Sequence, residues 1–220
     1  MNLRVEKFIS LLRKNYEINI AYKNSSVFMK FLSKILFFVP DFQTSFTTTI
    51  GNTIYFPNED RLKENSSMIL ISHEVRHIHD SQLDKIYNIK YLFPQILSLL
   101  FFGLCFMSFW FLFLALICLA PLPAYWRMKI ELRGYITSLF VYNLFLKEKS
   151  LLLSERKDLL LKYASNLNKA FTTSSYYFMW IFGVEEKLND GISKILEDQL
   201  QEEDPFYFFV EECFKKSQTS

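Results

Sequence analysis

The feature that most constrains this chain is an uncharged run of 36 residues, from 91 to 126. So long a run is rare in soluble domains and predicts a membrane-associated segment, because one spanning helix needs only about 20 apolar residues. Divided around Gly103 and Leu104, it gives two helices of about 16 residues each, at or below the roughly 17 to 25 residues of a full span. We therefore expect a short apolar helical hairpin, tilted or half-inserted in a bilayer, with a buried hairpin in a soluble core as the alternative. Three prolines mark its ends: Pro94, Pro121 and Pro123.

Positive charges flank the apolar run on both sides. Lys85 and Lys90 precede it, and Arg127, Lys129 and Arg133 follow it. Because segments rich in Lys and Arg stay on the cytoplasmic side of a membrane, this symmetry predicts that both ends of the run face the cytoplasm. The run also carries aromatic residues of the kind favoured at membrane interfaces: Tyr91, Trp110, Tyr125 and Trp126.

All three histidines of the chain lie in the stretch ISHEVRHIHD, which contains the pattern HExxH as His73, Glu74 and His77. Ser66 and Ser67 can cap a helix here, and the apolar residues that follow recur at helical spacing. Two imidazoles four residues apart lie on one face of a helix and can hold one Zn²⁺, while the adjacent Glu can accept a proton from a metal-bound water. The motif therefore predicts a catalytic zinc site, and a chance match on a solvated helix is the alternative.

Two histidines leave the coordination of zinc incomplete, and Glu131 in the stretch KIELRGY is the candidate third ligand. Gly134, three residues further on, leaves room for the close approach of another helix. Tyr135 lies on the same side as Glu131, where its phenol could donate to a developing oxyanion, although it could equally be an ordinary core residue. Asp80 is the rival third ligand, and we rank it as the acceptor for the other N–H of a ligating imidazole.

Two further polar residues of the motif helix are expected to lie outside the ligand set. His79 is out of phase with the other two histidines, which predicts a surface position or a supporting one. Arg76 is predicted to be a solvated or interface charge.

The apolar run and the metal site constrain each other. If residues 91–126 crossed a membrane once, Glu131 would lie on the opposite side from His73 and His77, and the three could not share one ion. A shared site therefore requires an even number of crossings or a hairpin that enters and leaves on the same side.

The rest of the chain is predicted to be mainly helical. Amphipathic spacing predicts helices over 3–15 and 24–38, and a further helix over 127–145. The one convincing β signal is a hairpin around Gly51 and Asn52, rich in Thr, Ile, Tyr and Phe and closed by Pro57. Residues 151–200 form a mixed-charge helical region with weak breaks at Gly183 and Gly191, and Pro205 is predicted to end the last clear helix.

These elements predict a mainly α fold with one small β-hairpin, arranged as a zincin-like helical core into which the apolar hairpin is inserted. We expect one composite domain with three parts. Residues 1–90 contain the N-terminal helices, the β-hairpin and the HExxH helix, residues 91–126 the apolar hairpin, and residues 127–220 the third-ligand helix and a C-terminal helical region.

The order of strand hairpin, HExxH helix, apolar hairpin and Glu-bearing helix resembles the gluzincin membrane metallopeptidases, such as the CAAX prenyl protease and heat-shock membrane peptidase family. In their third-ligand motif, ExxAD, Glu131 and Gly134 match, and Tyr135 stands in place of the Asp. A nearer similarity is to zinc peptidases encoded by tailed bacteriophages, through TTTIGNTIYFP, SHEVRHIHD, YLFPQ and PLPAYWRMKIELRGY, which together span residues of about 47–141. The resemblance implies zinc peptidase chemistry.

We therefore expect a membrane-associated zinc endopeptidase whose catalytic side faces the cytoplasm, in a bacterial host if the chain is phage-encoded. A polypeptide substrate would align on an edge strand at 46–56, and membrane lipid would contact the apolar hairpin. The net charge of only +2 gives no indication of nucleic-acid binding, and no pattern indicates an oligomeric state. Two alternatives stay open: a non-catalytic membrane or interaction protein with structural zinc, and a membrane anchor without metal.

Overall fold

The computed structural model describes residues 2–35, 42–44, 47–119, 124–172 and 183–218. Within them the chain is mainly helical with a small three-stranded sheet, which confirms the predicted fold class at this level. The helices are α1 (Leu3–Leu12), α2 (Val27–Ile35), α3 (Ser67–Leu83), α4 (Tyr87–Leu92), α5 (Leu97–Leu104), α6 (Trp110–Leu119), α7 (Tyr125–Glu148), α8 (Leu153–Thr172), α9 (Val184–Leu196), α10 (Gln199–Glu203) and α11 (Pro205–Gln218). The strands are β1 (Asn19–Tyr22), β2 (Thr48–Ile50) and β3 (Thr53–Phe56), and a short 3₁₀ helix spans Glu59–Leu62.

The sheet has the order β1-β3-β2, with β1 parallel and β2 antiparallel to the central strand. The predicted hairpin is present: β2 and β3 are joined at Gly51 and Asn52, and Gly51 has a positive φ of 58°, which glycine adopts without a steric penalty. Ile54 and Phe56 of β3 are fully buried. Strand β1 was not predicted, because its four residues are too few to show a clear alternation.

The two N-terminal helices are confirmed but are shorter than predicted. Helix α1 begins after Asn2, whose side-chain oxygen accepts from the backbone N–H of Arg4 at 2.9 Å. Helix α2 begins after Ser26, whose hydroxyl oxygen accepts from the N–H of Met29 at 3.2 Å. Residues 36–38, the last of the predicted second helix, lie outside the described residues, as does Pro40.

Helices α3 and α7 pack against each other at the centre of the molecule and bury both apolar and polar side chains. Ser66 does not cap α3 as predicted, since its hydroxyl donates to the Glu64 carboxylate at 2.9 Å. The apolar core continues from these helices to α1 and α11, whose apolar faces meet, and to α8 and α9. The C-terminal part of the chain thus closes the same core as the N-terminal part.

The predicted break at Gly183 is confirmed, because α9 begins directly after it, whereas the predictions for Gly191 and Pro205 were wrong. Gly183, with a φ of 59°, directly precedes α9, and Gly191 lies inside that helix, where a Cβ atom would be 3.1 Å from the Ile136 side chain. Pro205 begins α11 rather than ending a helix, because proline fits the first turn, where its missing N–H has no helical partner. The Asp204 side chain accepts from the N–H of Phe206 at 3.0 Å and so supports this start.

The apolar run contains two short helices, α5 and α6, that pack on each other, with the rings of Phe101 and Phe111 stacked 6.4 Å apart. They are separated at residues 105–109 rather than at Gly103, which lies within α5. Large apolar side chains cover their outer surface, and Phe106 is 97% exposed. Among the helices of the described residues, none combines the length and hydrophobicity needed to cross a membrane. Pro121 and Pro123 lie outside the described residues.

Candidate metal centre

The site is formed where α3 approaches α7 at a glycine. A Cβ atom on Gly134 would lie 2.7 Å from Cε1 and 2.8 Å from Nε2 of His73, so any larger residue would collide with the imidazole. This contact confirms that the glycine permits a close approach between helices. It brings the HExxH helix within reach of Glu131, one turn earlier on α7.

His73, His77 and Glu131 converge as a buried group whose candidate ligand atoms all lie within 4.8 Å of one another. The Nε2 atoms of His73 and His77 are 3.0 Å apart. Oε2 of Glu131 is 3.4 Å from Nε2 of His73 and 3.7 Å from Nε2 of His77. In a tetrahedral zinc site with bonds of about 2.0 to 2.2 Å, ligand atoms are roughly 3.3 to 3.6 Å apart. The observed spacing therefore fits one ion bound by two imidazoles and one carboxylate.

The charges of the group also suit a cation. Burial alone would raise the pKa of Glu131, but the neighbouring imidazoles of His77 and His73 outweigh it and hold the pKa well below its usual range. For His77 the effects have the opposite sign. Burial lowers its pKa, whereas the Glu131 carboxylate and the charge of Glu74 raise it, and the net shift is upward. The carboxylate therefore stays ionised, as a metal ligand must be.

Glu74 lies beside this group and is held by the sheet. It is buried, and its Oε2 accepts a hydrogen bond of 2.6 Å from the hydroxyl of Thr49 on β2. Among the described residues, the ligand group consists of His73, His77 and Glu131. Glu74 lies next to this group but is not a member of it. Three protein ligands and one position free of such a side chain are typical of catalytic zinc sites.

Three hydroxyl groups, none of them predicted, contact the far side of the ligands. The Tyr87 hydroxyl is 3.0 Å from Nδ1 of His77, and the Tyr91 hydroxyl donates to Oε1 of Glu131 at 2.7 Å. The Ser138 hydroxyl lies 3.4 Å from Nδ1 of His73. Burial, followed by the charge of Glu131, raises the pKa of both tyrosines, so that both hydroxyls stay protonated. Both tyrosines lie on α4, and the only sequence signal for them was their spacing of four residues in YNIKY.

The structure places Asp80 elsewhere than predicted. Its carboxylate is 2.9 Å from Nε of Arg76 and 3.1 Å from Nη2 of Arg133, and the Tyr87 hydroxyl occupies the position at His77 that we had given to Asp80. Asp80 is therefore neither a third ligand nor the acceptor for an imidazole. Burial raises its pKa to about 6, although Arg76 opposes the shift.

Of the two positions predicted for Arg76, a solvated or an interface charge, the solvated one is wrong. Arg76 is 1% exposed and donates to Asp204 at 2.7 Å, and its guanidinium lies 4.8 Å from the centre of the Phe206 ring. His79 is outside the ligand group, as expected from its phase, and its Nδ1 is 3.0 Å from the Tyr16 hydroxyl. These residues connect α3 to the segment between α1 and β1 and to the start of α11.

Tyr135 lies next to the ligand group. Its ring packs against the imidazole of His73 with centroids 4.5 Å apart and planes at 66°, and it also contacts Phe171 of α8 at 5.5 Å. The ring therefore supports the orientation of His73. A role for its phenol in stabilising an oxyanion stays a prediction.

No protein-family model matches the chain, and the comparisons with curated proteins and with solved structures find no significant match.

Proposed function

We propose that this protein is a zinc-dependent metallopeptidase that hydrolyses peptide bonds at a membrane surface. The observation that carries the proposal is the convergence of His73, His77 and Glu131 in tetrahedral spacing, beside a buried Glu74 that is not part of the ligand group. This combination of an HExxH helix and a downstream glutamate supports a gluzincin-like site.

In this proposal, the metal ligands and the catalytic base are different residues. When bound, Zn²⁺ would polarise the substrate carbonyl and lower the pKa of a water molecule to about 7. Glu74 acts as general base and accepts the proton of the attacking water, with Thr49 fixing one oxygen of its carboxylate. Tyr135, beside His73, is the candidate donor to the oxyanion of the tetrahedral intermediate.

A polypeptide substrate would align along β2. Among the described strands, β2 pairs only with β3, so its other edge offers main-chain N–H and C=O groups. Thr49 lies in the middle of β2 and contacts Glu74, so a peptide added at this edge would run close to the general base.

The apolar pair of helices α5 and α6 supports the proposal of membrane association. The two helices have 8 and 10 residues and are therefore about 12 and 15 Å long, against a hydrocarbon core of about 30 Å. Such lengths fit insertion into one leaflet, with entry and exit on the same side. The sharing of one ligand group by α3 and α7, which flank the pair, agrees with this geometry, and the positive flanks favour the cytoplasmic face.

The rival proposal is a non-catalytic protein in which zinc only fixes the fold. A structural site would use a fourth protein ligand, for which Asp80 and His79 were the candidates. Asp80 instead pairs with Arg76 and Arg133, and His79 contacts the Tyr16 hydroxyl. The geometry therefore favours catalysis.

The test is a Glu74→Gln variant assayed for zinc content and for cleavage of a quenched fluorescent peptide library in the presence of anionic lipid vesicles. We expect wild-type protein to contain one zinc and to cleave, and the variant to keep the zinc but lose at least about a hundredfold in rate, since general-base catalysis contributes on the order of 10² to 10⁴. Glu64→Gln, which changes an exposed carboxylate on the loop before α3, is the matched control and should cleave normally. Zinc-loaded wild-type protein that cleaves no peptide, or a Glu74→Gln variant that cleaves as fast as wild type, would refute the proposal.

A further inference from the structure

Helix α4 brings two tyrosine hydroxyls to two different members of the ligand group. Tyr87 and Tyr91 are one turn apart, with their rings stacked 6.3 Å apart and planes at 18°. The first hydroxyl lies at Nδ1 of His77, and the second donates to Oε1 of Glu131. The catalytic steps proposed above assign a role to neither.

The contact at His77 determines which nitrogen of the imidazole is free to bind an ion. Its Nε2 faces His73 at 3.0 Å and Glu131 at 3.7 Å, so this nitrogen must offer its lone pair to a shared ion. The ring proton then belongs on Nδ1, where the oxygen of Tyr87 can accept it at 3.0 Å. By accepting this proton, the hydroxyl oxygen supports the tautomer that can coordinate.

The contact at Glu131 distinguishes the two oxygens of its carboxylate. Oε2 faces the imidazoles, at 3.4 Å from His73, whereas Oε1 accepts the proton of Tyr91 at 2.7 Å. A carboxylate held in this way presents one oxygen to the ion. Without the hydroxyl it could rotate and present both.

Helix α4 is itself fixed to the first turn of α7. Arg127 donates from Nε to the main-chain carbonyl of Tyr91 at 2.9 Å and from Nη2 to the side chain of Gln95 at 3.1 Å. Its guanidinium also lies 5.2 Å from the centre of the Tyr91 ring. The two hydroxyls are thus placed by an independent set of bonds, which do not involve the ligand group.

We propose that Tyr87 and Tyr91 are positioning residues of the metal centre. Tyr87 fixes His77 in the tautomer with Nδ1 protonated, and Tyr91 limits Glu131 to coordination through Oε2. This inference rests on the proposed zinc site. According to it, α4 holds two of the three ligands, His77 and Glu131, in the state that binds the ion before the ion is bound.

The test compares Tyr87→Phe and Tyr91→Phe with Tyr163→Phe, which removes a hydroxyl on α8 at a ring contact with Tyr142, away from the ligand group. Zinc affinity is measured by competition with a chelator, and coordination by the visible absorption of the Co²⁺-substituted protein. Loss of a group that supports a ligand lowers metal affinity by about 10 to 100-fold, and we expect this for both α4 variants and not for the control. In Tyr91→Phe the Co²⁺ absorption should also weaken, as a second carboxylate oxygen enters.

The outcomes separate this inference from the proposed function. If wild-type protein binds no zinc, the proposed function fails, and this inference with it. If wild type binds zinc tightly and both α4 variants match it in affinity and in Co²⁺ spectrum, only the positioning role is overturned. Nitrogen-15 NMR of histidine in metal-free wild type needs no variant: a neutral His77 with its proton on Nδ1 supports the role of Tyr87, and one with its proton on Nε2 refutes it.

Discussion

Helices α3 and α7 and helices α5 and α6 use their side chains in opposite ways. The first pair buries charged and polar groups, with Arg76 1% exposed and Glu131 4% exposed. The second pair, which the chain inserts between them, has an apolar exposed surface that includes its connection, where Phe106 is 97% and Phe109 79% exposed. A water-soluble surface would reverse this distribution, because burying a charge is costly and exposing a large apolar patch is unfavourable in water.

We propose that the two pairs of helices are stabilised by different surroundings. Buried charges of α3 and α7 have opposite charges or hydroxyls as partners, as with Arg76 between Asp80 and Asp204 and Glu131 beside Tyr91. The outer surface of α5 and α6 has no comparable set of contacts within the described residues, and a lipid surface is the environment that suits it. Four changes test this contrast, in order of decreasing expected effect on the free energy of unfolding.

The largest effect is expected from Arg76→Met. It removes one of the two arginines that pair with Asp80, the other being Arg133, and leaves Asp204 without its shortest ion pair. Breaking a buried ion pair costs about 3 to 5 kcal/mol, which chemical denaturation should detect as a loss of unfolding free energy. Lys215→Met, which breaks an exposed pair with Glu211 on α11, is the control and should cost much less. Equal losses of unfolding free energy in the two variants would show that the buried ion pairs of Arg76 stabilise the fold no more than an exposed pair does.

The next effect is expected from Gly134→Ala. The added Cβ would be 2.7 Å from the His73 imidazole, so we expect a loss of about 1 to 3 kcal/mol in unfolding free energy and a loss of zinc affinity of at least about tenfold. Gly103→Ala on α5 is the matched control, since its Cβ would meet nothing within 4 Å and alanine favours a helix. A Gly134→Ala protein that binds zinc like wild type would contradict the close approach of α3 and α7.

Lys23 gives a pH-dependent test of the buried polar region. Burial lowers its pKa to about 8, although the charge of Glu74 opposes the shift, and its Nζ donates to the carbonyl of Phe42 at 2.7 Å. The buried cation destabilises the fold at pH below 8, and this cost is relieved as the pH rises from about 8 towards 10.5, where the unfolded chain also loses the proton.

We therefore expect wild type to gain about 1 to 2 kcal/mol relative to Lys23→Met between pH 7 and pH 10.5, after allowance for solvent screening. Denaturant unfolding of both proteins at several pH values gives the difference. A constant difference across this range would contradict the lowered pKa of Lys23.

The smallest effect on folding is expected from polar substitutions on α5 and α6 and their connection. Phe106→Ser and Phe109→Ser together should change the unfolding free energy by about 0.5 kcal/mol or less, because both side chains are already exposed. The same double variant should bind anionic vesicles at least about tenfold more weakly in a sedimentation assay, while its zinc content is unchanged. Unaltered vesicle binding by the double variant would contradict the proposal that this apolar surface binds the membrane.

Sequence reasoning was most successful where function depends on local spacing. The interval of four between His73 and His77 fixes their common face on any helix, and the hairpin at Gly51 follows from turn chemistry. Glu131 was also predicted, because a two-histidine site needs a third ligand and Glu131 lies on the predicted helix after the apolar run, three residues before Gly134. Glu131 reaches the histidines because Gly134 lets α3 approach α7 closely, and this role of Gly134 was predicted from its position three residues after Glu131.

The positions that sequence reasoning did not predict correctly depend on contacts between elements that are distant in the sequence. Arg76 was predicted to be a solvated or interface charge because arginine is rarely buried, and only the fold brings Asp204, 128 residues later, to its side. Tyr91 was assigned to a membrane interface because it begins the apolar run, yet its hydroxyl binds Glu131. Asp80 was placed at an imidazole by its distance along the chain, whereas its charge pairs with arginines.

The central claim is that the two histidines of the motif and Glu131 hold one zinc ion. The most direct test is a crystal of zinc-replete protein measured above and below the zinc absorption edge. We expect one anomalous peak about 2.0 to 2.2 Å from Nε2 of His73, Nε2 of His77 and Oε2 of Glu131. A peak bound by other residues, or none in zinc-replete crystals with these three side chains well ordered, would contradict the account.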